Sequence, residues 1–114
     1  MSRITTHVLD TARGRPAAGV AITLEVQNEA GDWRAVGRGR TDADGRLKSL
    51  AGEGEAQGEG VYRLTFETGD YFSAQGVETF YPLAVVVFRV RDASEHYHVP
   101  LLVSPFGYST YRGS

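Results

Sequence analysis

The sequence predicts an all-β fold, a sandwich or barrel of short strands. Three observations predict it. Apolar residues recur with a period of two in several segments, the spacing of a strand with one buried face. Turn signals rich in Gly, Asp, Asn and Pro separate those segments at short intervals. Only Thr68 to Gln75 offers room for a helix, and it spans barely two turns.

The elements follow in chain order. Ile4 to Leu9 is short and β-rich, and Gly14-Arg15-Pro16 turns the chain after it. Val20, Ile22, Leu24 and Val26 then alternate with Ala21, Thr23, Glu25 and Gln27. Asn28 to Asp32 reads as a turn. So does Asp42-Ala43-Asp44-Gly45, which resembles the start of a calcium loop but lacks the bidentate glutamate that such a loop needs. Asp side chains bonding backbone amides explain it better, and the turn then sets Arg46 at the start of a strand. The Gly- and Glu-rich run Gly52 to Gly60 opens no helix, and its three glutamates would repel a phosphate, so it reads as a solvated loop. Val61 to Phe66 is a strand with Tyr62, Leu64 and Phe66 on one face. Ala84 to Phe88 is continuously apolar, which suits a strand buried on both faces, in part against another subunit. Tyr97, Val99, Leu101 and Val103 alternate once more.

A chain of 114 residues predicts one domain, 1–114, with a single core and little interior to spare for a pocket. The net charge of -2 provides no electrostatic reason to expect nucleic acid or an anionic membrane as partner. Cysteine is absent, which excludes disulfide scaffolds, thiolate zinc sites and cysteine nucleophiles. There is no Gly-x-Ser-x-Gly elbow, and Ser104 lies between Val103 and Pro105 as a turn residue. No run approaches membrane-spanning length, the N-terminus lacks the apolar stretch of a signal peptide, and cytoplasm is the expected location.

The histidines carry the chemistry. His96 and His98 are two apart and would project from one face of a strand, while His7 is a polar position within the N-terminal apolar strand. Each could simply be satisfied by a backbone carbonyl. Together they could bind zinc, since His-x-His plus a third ligand makes a tetrahedral set with one open position. They could also perform metal-free acid–base chemistry, because imidazole titrates near neutrality. The C-terminal run Pro105 to Ser114 is aromatic and strand-like almost to its last residue, where chain ends are usually polar and frayed. An edge strand docked for stability or dimerisation accounts for it, alone or alongside a role in a site.

Four blocks stand in order: Ile4-Thr5-Thr6-His7-Val8-Leu9-Asp10, Thr41-Asp42-Ala43-Asp44-Gly45-Arg46, His96-Tyr97-His98-Val99-Pro100-Leu101-Leu102-Val103-Ser104-Pro105, and Tyr108-Ser109-Thr110-Tyr111-Arg112-Gly113-Ser114. They resemble, in order and spacing over essentially the whole chain, the signature blocks of the 5-hydroxyisourate hydrolases, the transthyretin-related family of purine catabolism. No key position departs from the pattern, and the terminal Tyr-Arg-Gly-Ser separates these enzymes from transthyretin. The resemblance implies a transthyretin-like (prealbumin-like) sandwich of two four-stranded sheets with one short helix. It implies a homotetramer, a dimer of dimers, with its sites at the dimer–dimer interface. His7, Arg46 and His98 fall on the family's catalytic positions, with Tyr111 and Ser114 shaping the substrate pocket beside His7 and Arg46. The reaction implied is hydrolytic opening of the cyclic amide of 5-hydroxyisourate to 2-oxo-4-hydroxy-4-carboxy-5-ureidoimidazoline, with no metal and no cofactor.

Three rivals remain. A small-molecule carrier would share the fold, since fold alone does not assign function, but it has no need of His7, Arg46, His98 and Tyr-Arg-Gly-Ser together. A zinc-dependent cyclic amide hydrolase would use the three histidines. A structural interaction module of the same fold is the third.

Overall fold

The computed structural model describes residues 4–48, 50 and 58–114. The strands are β1 (Ile4–Asp10), β2 (Arg15–Pro16), β3 (Ala21–Gln27), β4 (Trp33–Arg40), β5 (Arg46–Leu47), β6 (Gly60–Phe66), β7 (Ala84–Val90), β8 (Tyr97–Ser104) and β9 (Gly107–Thr110). The helix α1 covers Thr68–Ser73, inside the segment expected to hold it. No described helix is long and apolar enough to cross a membrane.

Two sheets form. One runs β4-β3-β6-β7, all antiparallel. The other runs β2-β1-β8-β9, and β5 also pairs with β1. Since β8 takes one edge of β1 along its whole length, β2 and β5 share the other edge, at Leu9-Asp10 and Thr6-His7. The expected fourth strand of this sheet is thus two separate two-residue pieces. A transthyretin-like all-β sandwich with one short helix is what forms.

The inner faces are the ones the alternation marks. Ile22, Leu24, Tyr62, Leu64 and Phe66 from one sheet meet Val8, Tyr97, Val99, Leu101 and Val103 from the other, all buried. Each fully buried Leu, Ile or Phe contributes roughly 1.5–3 kcal/mol of transfer free energy. Phe72 of α1 closes the same core.

One feature differs from the sequence reading. β4 is not evident from alternation, because Gly37 and Gly39 interrupt it and only Val36 is buried, with a register shift opposite Leu24 and Glu25. β7 is covered on one face only within the chain: Ala84, Val86 and Val90 are buried, while Val85 and Val87 are 39% and 56% exposed. Residues 51–57 of the Gly- and Glu-rich loop lie outside the described residues.

Candidate active site

Among the described residues β1 and β8 are the only parallel pair, and they bring the two ends of the chain side by side. Ile4, Thr6, Val8 and Asp10 point into the core, so Thr5, His7 and Leu9 occupy the outer face of the sheet. Thr5 is paired with His98 and His7 with Pro100 across the parallel ladder, and His7 is paired with Arg46 across β1 and β5. Paired residues share a face. His7, Arg46 and His98 therefore project from one outer surface, away from the second sheet.

Each is positioned by local chemistry. The Asp42 carboxylate accepts from the backbone N–H groups of Asp44 and Arg46 at 2.9 and 3.0 Å, which holds its pKa below the usual carboxylate range. Gly45 closes the turn at φ +77°, and a Cβ there would lie 2.4 Å from the Val8 carbonyl oxygen. Its own carbonyl accepts from Val8 N–H at 2.7 Å, tying the turn to β1 and aligning Arg46 with His7. The Arg46 side chain is exposed and makes no salt bridge among the described residues. His7 Nε2 donates to the Asp44 carbonyl at 2.9 Å, since a carbonyl can only accept. That leaves Nδ1 as the lone-pair nitrogen of neutral His7.

His98 is half-buried, and its Nδ1 lies 2.8 Å from the Thr5 hydroxyl. Burial lowers its pKa from the ordinary 6.5, helped by the positive charge of His96, Arg46 and His7 nearby. A neutral imidazole at neutral pH can accept a proton from water. His96 lies one residue before β8 and so is not a strand residue as expected, yet its Nε2 reaches the same hydroxyl at 2.9 Å. Among the described residues no group of three His, Asp or Glu side chains is placed to hold a metal ion.

The C-terminal tail leaves the sheet at Thr110 and returns to it at one point. Gly113 N–H donates to the His98 carbonyl at 2.8 Å. A Cβ at Gly113 would lie 2.7 Å from His98 Cδ2 and 3.2 Å from Pro100 Cγ. Arg112 is held by Glu95 at 2.9 Å and lies over the Tyr97 ring, 4.5 Å from its centroid. Tyr111 and Ser114 flank this anchor and are exposed, Tyr111 to 59%, and among the described residues neither bonds His7, Arg46 or His98. Thr5 is the site residue the sequence reading missed, while Gly113 stands in the expected Tyr-Arg-Gly-Ser and only its backbone contact with His98 is new. The signal for Thr5 was its place two residues before His7, on the same face of a strand.

The profile of the HIUase/Transthyretin family matches residues 4–113. The chain is 50% identical over 119 residues to the 5-hydroxyisourate hydrolase of Caulobacter vibrioides, covering 100% of both chains. It is 47% identical over 111 residues to the 5-hydroxyisourate hydrolase of Salmonella dublin, covering 97% of this chain and 80% of that one. Among solved structures it superposes on transthyretin from Sparus aurata with a TM-score of 0.92 at 34% identity, covering 99% of this chain and 97% of that one. By its strands, by the face that gathers its histidines and by these likenesses, the chain belongs to the HIUase/Transthyretin family.

Proposed function

We propose that this protein is a 5-hydroxyisourate hydrolase of urate catabolism, opening the six-membered ring at its cyclic amide to yield 2-oxo-4-hydroxy-4-carboxy-5-ureidoimidazoline. The observation that carries the reading is His98, a half-buried imidazole of lowered pKa, sharing one open face with His7 and Arg46. It stands in a chain that is 50% identical end to end to an enzyme of that name.

The residues suit the chemistry. His98, with its Nε2 unbonded among the described residues, takes a proton from water. The water oxygen bonds to the amide carbonyl carbon, the C–N bond breaks, and the departing nitrogen receives a proton. Arg46 holds the electron-rich ring through paired N–H donors and stabilises the oxyanion as it forms. His7, paired with Arg46 across β1 and β5 on the same face, assists the return of the proton. Tyr111 and Ser114 shape the pocket. No metal or cofactor enters this mechanism.

The site face is open in a single chain, and a second pair of subunits in a homotetramer, a dimer of dimers, covers it. The outward Val85 and Val87 of the edge strand β7 fit a further subunit contact. A cytoplasmic location completes the reading, checked by fractionation. The activity test generates 5-hydroxyisourate from urate in place and follows its decay with and without the protein. Faster decay that disappears with His98→Ala is the expected result, and decay unchanged by the wild-type protein overturns the proposal.

A further inference from the structure

Thr5 has no part in the mechanism above, yet two histidines converge on it. Its hydroxyl oxygen lies 2.8 Å from His98 Nδ1 and 2.9 Å from His96 Nε2. The residue is 8% exposed and directly opposite His98 in the parallel ladder. A hydroxyl carries a single proton, so it cannot donate to both rings at once.

Two arrangements satisfy both contacts with the Thr5 proton placed between the rings; a third, in which both rings donate to the oxygen, also puts the proton of His98 on Nδ1. In the first, His98 Nδ1–H donates to Thr5, Thr5 O–H donates to His96 Nε2, and His98 Nε2 keeps its lone pair. In the second, His96 Nε2–H donates to Thr5, Thr5 O–H donates to His98 Nδ1, and the proton of neutral His98 sits on Nε2. The second leaves His98 with no nitrogen free to accept a proton. The first also holds after His98 is protonated, since Nδ1–H already points at an acceptor and nothing rotates. His96 is exposed, so water satisfies its Nδ1 in either tautomer.

We propose that Thr5 is a positioning residue which, with His96 as acceptor for its proton, holds His98 in the Nδ1–H tautomer and leaves Nε2 as the basic nitrogen. The ring is fixed from two sides, Thr5 at Nδ1 and Gly113 against Cδ2. A general base locked in the wrong tautomer is a large loss, about 10⁴-fold in the serine-protease case. Here the hydroxyl is shared and the tautomers would mix rather than invert, so the expected loss is smaller. The inference rests on the reading of His98 as the base.

The experiment pairs kinetics with nitrogen-15 NMR of the labelled histidines, in the full-length protein. Thr5→Val keeps the shape and removes the hydroxyl, and Thr5→Ser restores it. The valine variant is expected to lose at least about 10-fold in kcat with KM little changed, and the serine variant to stay within a few-fold of wild type. The spectrum of wild type and Thr5→Ser should show His98 with its proton on Nδ1, and Thr5→Val a mixture. Undiminished kcat in Thr5→Val, equal losses in both variants, or a wild-type His98 carrying its proton on Nε2 overturns the proposal. If Thr5→Val does not fold, the exposed partner carries the test: His96→Phe should lose activity and shift the His98 tautomer, while His96→Gln, which keeps an acceptor, should not. Full activity in His98→Ala would refute the base itself, and the spectra would still report separately whether Thr5 sets the tautomer.

Discussion

Gly113 lies against His98 so closely that a methyl group would not fit: its N–H bonds the His98 carbonyl at 2.8 Å, and a Cβ would come within 2.7 Å of the ring. The neighbouring atoms belong to the imidazole and to Pro100, neither of which can swing aside as a flexible side chain would. Gly113→Ala is therefore expected to displace the tail or tilt His98. A misplacement of about 1 Å can cost on the order of 10²-fold in rate. Turnover should fall by about that factor while the thermal midpoint hardly moves, because the residue lies outside the core.

The tail meets the candidate site at Gly113 and lies outside the core of the sandwich. Strand β9 ends at Thr110, and Tyr111, Arg112 and Ser114 are exposed. Deletion of Tyr111 to Ser114 should abolish turnover and leave the far-ultraviolet circular dichroism of an all-β protein. The thermal midpoint should fall by no more than about 5 °C, the equivalent of roughly 1 kcal/mol in a chain of this size. Loss of the sandwich itself on deletion would show that the tail is structural.

The proposed role of Arg46 depends on its planar fork as much as on its charge. Arg46→Lys keeps the charge and loses the paired donors. Removing one donor to an oxyanion typically costs about 10²-fold in kcat. A lysine variant of undiminished turnover would take Arg46 out of its role.

The pH dependence follows from His98. Burial, then the charges of His96, Arg46 and His7, lower its pKa below the ordinary 6.5. With His98 as the proposed neutral base, kcat/KM should fall as the solution is acidified, with the midpoint of the fall below 6.5. Stability shares the sign. With the folded pKa below the unfolded one, the unfolded chain binds the proton first, so this contribution is complete above the unfolded value and is lost as pH falls toward the folded one. Rate and thermal midpoint measured across the acid range check both, and a flat rate profile there argues against a histidine base.

Gly45 ties the Arg46 turn to β1. With φ at +77° and the Val8 carbonyl oxygen 2.4 Å from any Cβ, Gly45→Ala is strained twice over. It should destabilise the fold by about 1–3 kcal/mol in denaturant titration and weaken activity by moving Arg46.

Most of the sandwich was legible in the sequence. The alternation through Ile22 and Leu24, through Tyr62, Leu64 and Phe66, and through Tyr97 to Val103 names the buried faces, because a period of two leaves only one face to hide. β4 was not, since a strand with one buried residue and two glycines has little periodicity to read. β7 was half legible: its apolar run marks a strand, but a run apolar on both sides does not say what covers the outer side.

The sequence by itself determined which residue types are available for chemistry: three histidines, Arg46 on a turn and an aromatic tail, with no thiol. Tertiary structure decided who meets whom. The parallel pairing of β1 with β8 sets Thr5 beside His98 across 93 residues of chain, and the short β5 sets Arg46 beside His7. Spacing along a strand tells which face a side chain takes, but the register between strands distant in sequence is set by how the whole core packs. That is why His98 was visible as a candidate from its residue type and place on a strand, while the hydroxyl of Thr5 and the bare backbone of Gly113 that hold it in place emerged only with the fold.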